Sequence, residues 1–262
     1  MREVHVAAQL GFSREAEAYA RGRPEYPATV LPWLTDDLGA AQGKVVVDLG
    51  AGTGKFTRLL VGTGAEVIAV EPVAAMRAQL ASSLPGVQCV AGHADAIPLE
   101  TASADALVCA QAFHWFATKA ALAEIHRVLR PGGRLGLVWN VRDESVDWVA
   151  AITGIITPCE GDAPRYHTGA WRRPFSGRYF SELEHSSFPF QHVGAPREVI
   201  LDRFLSVSFI AALPAHEKAN VASRLRALIA SHPALRERNP ISFPYRTDAY
   251  LFARLEDGAG TN

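Results

Sequence analysis

Val45-Val46-Val47-Asp48-Leu49-Gly50-Ala51-Gly52-Thr53-Gly54-Lys55-Phe56 is the stretch on which the fold of this chain turns. Three consecutive valines read as a buried strand, and the glycine-rich turn ends it. Phe56-Thr57-Arg58-Leu59-Leu60 then opens a helix. A strand, a glycine turn and a helix let a ligand lie against bare backbone. Glycine permits close approach and φ > 0, and the first N–H groups of the helix point into the same space. Gly50, Gly52 and Gly54 give G-x-G-x-G. A dinucleotide fingerprint needs G-x-G-x-x-G, which would put a third glycine where Lys55 stands.

The chain after this unit alternates. Strands are expected at 44–48, 66–70, 87–91, 104–110 and 134–139, and helices at 54–62, 73–83 and 118–129. Ala121, Leu122, Ile125, Val128 and Leu129 form the apolar stripe of the last helix, and Pro131-Gly132-Gly133 is expected to end it. His126 on that helix reads as a surface residue. Such alternation gives an α/β fold: a doubly wound, mostly parallel sheet with helices on both faces. Upstream, helices are expected at 13–20 and 29–38. Downstream, 146–156 and 219–231 read as helices, 158–178 as a loop or lid, and 180–190 and 243–254 as strands that return to the sheet. The expected organisation is one domain over 1–262: a helical cap at 1–40, a core at 41–142, a lid and acceptor region at 143–230, and a final strand and tail at 231–262.

Composition narrows the function. The 262 residues are 48% hydrophobic, enough for a real core. A formal charge of −1 and a pI near 6.8 supply no global field for nucleic acid or an anionic membrane. Cys89, Cys109 and Cys159 are too few and scattered for a disulfide framework or a zinc site. Met1-Arg2-Glu3-Val4-His5 lacks a hydrophobic signal region, and no apolar run reaches membrane-spanning length. A reduced, cytoplasmic setting is expected.

Glu71 closes the second strand in Val67-Ile68-Ala69-Val70-Glu71-Pro72, one βαβ step after Asp48. A carboxylate there can accept both hydroxyls of a ribose. Gly92-His93-Ala94-Asp95-Ala96-Ile97-Pro98-Leu99 follows the third strand, where Asp95 can accept from an adenine amine or form a plain Asx turn. The fourth strand delivers Gln111-Ala112-Phe113-His114-Trp115-Phe116. Then come Glu124-Ile125-His126-Arg127-Val128-Leu129-Arg130-Pro131-Gly132-Gly133 and Leu137-Val138-Trp139-Asn140.

Taken together, residues 44–140 resemble the class I S-adenosylmethionine (SAM) methyltransferases that act on small molecules. The flanks Tyr19-Ala20-Arg21-Gly22-Arg23-Pro24-Glu25-Tyr26-Pro27 and Trp139-Asn140-Val141-Arg142-Asp143, with Ser206-Val207-Ser208 and Tyr245-Arg246-Thr247, are similar to the methyltransferase type 11 branch that includes trans-aconitate methyltransferase-like proteins. That branch is functionally mixed, so its name fixes no substrate. The resemblance implies a seven-stranded Rossmann-like methyltransferase sheet with a small C-terminal or lid insertion. It implies SAM as cofactor, S-adenosylhomocysteine as its product, and a small-molecule acceptor as partner. By the same resemblance Gly50, Ala51, Gly52, Thr53 and Gly54 would wrap the methionine part. Glu71 would hold the ribose, Pro72 and Met76 would flank the adenine, and Asp95 with Ala96 would recognise it. Gln111 would sit near the sulfonium, with Tyr19 and Arg23 over the amino-acid end.

Methyl transfer from a sulfonium is an in-line displacement with a neutral leaving group, so alignment and desolvation supply much of the catalysis. A base is needed only where the nucleophile must lose a proton. His114 is the candidate, and it reads equally as a pocket residue. Tyr26, Trp115, Trp139 and Arg142 are the other expected acceptor contacts. Arg165, Arg172 and Arg173 read as a solvated lid face. Tyr166, Trp171 and Arg172 of the lid, with the 19–27 segment, are expected to close over the ligand. No metal-ligand set is present in the pattern, and Gln111-Ala112-Phe113-His114 lacks the Pro-Pro motif of base-amine methylation. The rival readings are a SAM-binding protein with no chemistry or a different chemistry, and a NAD-type oxidoreductase.

Overall fold

The protein is described here from a computed structural model, which defines residues 23–181 and 184–256. Seven strands form one sheet: β1 (Val45–Leu49), β2 (Glu66–Val70), β3 (Gln88–Val90), β4 (Ala104–Ala110), β5 (Leu129–Arg142), β6 (Glu184–Gly194) and β7 (Ile241–Ala253). Their order is β3-β2-β1-β4-β5-β7-β6. β1 pairs in parallel with β2 on one side and with β4 on the other, and β2–β3 and β4–β5 are also parallel. The order therefore reverses at β1/β4, and the turn that follows β1 opens at this switch point. The late strand expected at 243–254 lies inside the sheet, between β5 and β6.

Contacts divide the chain into two compact units. Among the described residues, the larger comprises Tyr26–Trp139, 164–181, 184–188 and 247–256. Its central strands are buried on both faces: Val46, Val47, Asp48 and Leu49 of β1 are all inaccessible, as parallel strands flanked by helices must be. The helix Lys55–Gly62 packs on them through Phe56, Thr57 and Leu60. Among the described residues, the second unit comprises 23–25, Asn140–Ala163 and Pro189–Arg246. It has a core of its own, in which Trp148, Ile152, Phe204, Leu225 and Phe243 pack together. The helices Asp147–Ile156 and Ala215–Ser231 form its walls. Residues 164–175 thus belong to the sheet unit and 158–163 to the second one.

Several boundaries differ from expectation, each for a local reason. The helix expected at 29–38 is a 3-10 turn, Ala28–Val30, followed by a π-helical turn, Trp33–Asp37. Pro32 cannot donate to the preceding turn, and Thr35 Oγ1 hydrogen-bonds back to the carbonyls of Leu31 and Pro32. The helix Lys119–Val128, capped by the Thr118 hydroxyl, ends before Pro131-Gly132-Gly133. The Pro-Gly-Gly segment lies inside β5, where the pairing with β4 is irregular. His126 is buried rather than at the surface, and its Nε2 meets the Leu255 carbonyl at 2.8 Å. β6 begins at Glu184, and Phe180 forms an isolated bridge with Arg254. The last long helix starts at Ala215, four residues earlier than expected, directly after Pro214. The helical segments between Arg197 and Ala211 had no counterpart in the sequence reading. The helix expected at 13–20 lies outside the described residues.

Candidate active site

β1 and β2 end in register, Leu49 beside Val70, so the glycine turn and Glu71 emerge side by side. The Gly50 N–H donates to the Val70 carbonyl at 2.8 Å, and the Glu71 N–H to that of Val90 at 3.1 Å. Glu71 then bends back over the turn. Its Oε2 accepts the Gly52 N–H at 2.9 Å and its Oε1 accepts the Val73 N–H at 2.8 Å. Arg77 Nη1 donates to the carbonyls of Glu71 and Pro72, both at 2.7 Å. Burial pushes the Glu71 carboxyl above its ordinary range, and the two backbone N–H donors and Arg77 partly offset this.

The three glycines have different tasks. A Cβ on Gly50 would stand 2.8 Å from the Ala112 Cβ, and one on Gly54 would stand 2.9 Å from Leu80 Cγ. These two are required by packing. A Cβ on Gly52, at φ +58°, would meet only Met76 Sδ, at 3.9 Å. Gly52 therefore borders open space, with its N–H held by Glu71 and Met76 behind it. This arrangement fits a ligand resting on bare backbone, as the sequence reading requires of a SAM site.

Asp48 lies beneath the turn, fully buried. Its Oδ2 accepts the Thr57 hydroxyl at 2.7 Å, while Oδ1 has no hydrogen-bond partner. Burial, with the Glu71 charge adding to it, pushes the Asp48 carboxyl up to about 7.

Asp95 and Ala96 are exposed in the turn after β3. That loop is fastened from outside. Arg127 donates to the carbonyls of Ile97 and Leu99, and Glu124, which pairs with Arg127 at 2.8 Å, accepts the Ile97 N–H. Neither residue stood out in the sequence, although a Glu followed by an Arg three positions later on a helix is a readable pair. Gln111 follows β4 with φ +56°, an uncommon conformation for a non-glycine residue and one found at ligand sites.

His114 and Trp115 sit in the short 3-10 turn Phe113–Trp115, both partly exposed. Trp139 Nε1 donates to His114 Nδ1 at 3.1 Å. Indole nitrogen is only a donor, so Nδ1 is the acceptor and a neutral His114 carries its proton on Nε2. Trp139 itself is fully buried, with Trp171 and Tyr166 rings at 4.7 and 4.8 Å. It is expected on the acceptor wall, but the indole is buried in the core. Tyr166 donates to Asp248 Oδ2 at 2.8 Å, Arg172 donates to the Tyr250 hydroxyl, and Trp171 is buried. These expected lid residues are thus part of the packing of the sheet unit. Arg165 lies over the Trp115 ring at 5.9 Å, and Tyr26 packs edge-on against Phe56 at 4.8 Å.

Arg23 and Arg142 belong to the second unit, and Tyr19 lies outside the described residues. Among the described residues no group of three or more His, Cys, Asp or Glu side chains is placed to hold a metal ion. No helix among them is long and apolar enough to cross a membrane.

Residues 47–137 match the family model described as a methyltransferase domain. An uncharacterized methyltransferase-like protein of Schizosaccharomyces pombe is 38% identical over 242 residues, covering 91% of this chain and 93% of its own length. The solved structure of a putative type II methyltransferase from Anaeromyxobacter dehalogenans superposes with a TM-score of 0.57 at 25% identity, over 88% of this chain and 96% of that one. A phosphoethanolamine N-methyltransferase of Haemonchus contortus, solved with S-adenosylhomocysteine, shares the fold with a TM-score of 0.58 at 13% identity, over 98% of this chain and 61% of that one.

Proposed function

The chain belongs to the methyltransferase family, and from that premise we propose that it transfers the methyl group of SAM to a small-molecule acceptor. The observation that supports this most is the turn after β1: Gly52 faces open space while its N–H is held by the Glu71 carboxylate. When bound, SAM supplies an electrophilic methyl carbon whose transfer leaves a neutral thioether, S-adenosylhomocysteine.

The residues that would hold it are those of the turn, Gly50 to Gly54, together with Glu71, Pro72 and Met76. Asp95 and Ala96 would recognise the adenine and Gln111 would stand at the reactive end. Glu71 already spends one acceptor site per oxygen on backbone N–H groups. A carboxylate oxygen has a second lone pair, so each can also accept from a ribose hydroxyl. His114 would meet the acceptor as a hydrogen-bond donor through Nε2–H and orient it, since Nδ1 is taken by Trp139. Trp115 would supply the apolar wall beside it. Alignment of the acceptor and exclusion of water are then the main catalytic contributions of this chain.

Mass spectrometry of the purified protein for co-purifying SAM or S-adenosylhomocysteine tests the reading. An acceptor screen should follow, in which the product gains one methylene by mass. Binding of NADH in preference to SAM would overturn the proposal.

A further inference from the structure

The second unit contains a cluster that the turn after β1 leaves unexplained. Arg142 ends β5, Arg203 opens the short helical segment Arg203–Leu205, and Tyr245 lies on β7. Both guanidinium groups stand over one ring: Phe204 has the Arg203 carbon 5.3 Å and the Arg142 carbon 5.5 Å from its centre. Phe204 packs against Phe243 at 5.7 Å, and Phe243 against Tyr245 at 4.8 Å. The cluster is therefore a row of packed aromatic rings with two cations over one end of it.

The donors are not all satisfied. Arg142 has the half-exposed Glu144 at 3.5 Å and also feels the charge of Glu160. Arg203 is only 7% exposed, yet its Nε and Nη1 have no hydrogen-bond partner. The buried Tyr245 hydroxyl has none either. Burial and the neighbouring Arg203 charge push the Arg142 guanidinium below its ordinary range, while Tyr245, Glu144 and Glu160 act in the opposite sense. A buried guanidinium whose donors are left unpaired is destabilising. An oxyanion between the two guanidinium forks would satisfy these donors at once.

We infer that Arg142, Arg203 and Tyr245 form a binding site for the carboxylate group of a small organic molecule. Two features select that class. The packed rings are aromatic, which suits an organic body. Glu144 and Glu160 lie close enough to act on Arg142, and they oppose a dianion more than a monoanion. All of its residues belong to the second unit, so it is tested separately from the Gly52–Glu71 turn.

The test uses the full chain and thermal unfolding in sodium acetate, sodium phenylacetate and sodium phosphate, each against chloride at equal ionic strength. Phenylacetate is expected to raise Tm saturably, with acetate weaker. Tyr245→Phe should shift the half-saturation point at least tenfold, and Arg203→Met should abolish the response. Without any ligand, Arg203→Met should raise Tm by about 2–4 °C, since it removes a buried guanidinium with unpaired donors. A lower Tm in Arg203→Met would make the arginine structural and overturn the assignment. So would a wild-type response no larger than that of the variant, or a phosphate response exceeding that of phenylacetate. SAM titration by calorimetry in the same variants reports the Gly52–Glu71 turn separately. A wild-type protein that binds SAM but gives no saturable phenylacetate response would reject this inference alone.

Discussion

Glu71 accepts the backbone N–H of Gly52 at 2.9 Å, and this bond ties together the segments that follow two adjacent strands. The second carboxylate oxygen does the same for Val73, at the start of the next helix. The residue that would read the cofactor therefore also shapes the turn that carries it. Glu71→Ala should accordingly cost both functions. SAM affinity should fall roughly 10- to 100-fold, as expected for charge-assisted hydrogen bonds of about 1.5–3 kcal/mol. Stability should drop as well, because two backbone donors lose their acceptors. Calorimetry with SAM and urea unfolding measure the two losses; wild-type affinity in Glu71→Ala would remove the ribose assignment.

The glycines separate packing from binding. Gly50→Ala drives its new methyl to 2.8 Å from Ala112 and should lower Tm by several degrees. Gly52→Ala meets no atom closer than Met76 Sδ at 3.9 Å, so its cost is mainly the left-handed backbone, about 1–2 kcal/mol. Its methyl nevertheless projects into the space assigned to the ligand. The expected pattern is a modest Tm change in Gly52→Ala with SAM binding lost, and the larger stability loss in Gly50→Ala. Equal SAM affinity in wild type and Gly52→Ala would move the binding surface elsewhere.

Asp48 ties the site to pH. Its folded-state value of about 7 lies above the unfolded 3.8. As pH rises from about 4 to about 7, the unfolded chain gives up this proton while the folded one retains it. Stability from this group is therefore lost across that window and levels off above it. Asp48→Asn preserves an acceptor for the Thr57 hydroxyl and removes the titration. Urea unfolding should show the variant gaining on wild type between pH 5 and pH 8, by roughly 2–3 kcal/mol from a shift of this size. A constant difference between the two proteins at both pH values would contradict the raised carboxyl.

Val45 to Val47 made β1 legible because a parallel strand buried on both faces needs an apolar run, and the G-x-G-x-G spacing located the turn. The division of labour among the glycines was not legible. It depends on Ala112 and Leu80, which approach from other elements. His126 was misplaced for a similar reason: polarity and an Arg neighbour suggested solvent, but the Leu255 carbonyl covers it from the far end of the chain. Trp139 lay in a strand that sequence patterning found, yet its burial is set by Tyr166, Trp171 and Tyr250, distant residues that no local period could bring together. The pairing of Arg142 with Arg203 joins a strand end to a helical segment that the sequence reading did not contain.

The bond from Trp139 to His114 bears on the two roles open to that histidine. With Nδ1 accepting the indole N–H at 3.1 Å, the neutral ring carries its proton on Nε2. A nitrogen that already bears a proton can donate but cannot act as a general base. His114→Ala should then raise acceptor KM about tenfold, the scale of one lost hydrogen bond, while kcat changes little. The kcat profile should remain flat through the ordinary histidine range near pH 6–7 in both proteins. Trp139→Phe should act in the same direction more weakly, since it frees the ring to take either tautomer and leaves SAM affinity intact. Steady-state kinetics across pH 5.5–8.5, once an acceptor is in hand, gives each of these quantities. A kcat loss of about 10²–10⁴-fold in His114→Ala with KM unchanged would restore the base, and the Trp139 bond would then have to break during turnover.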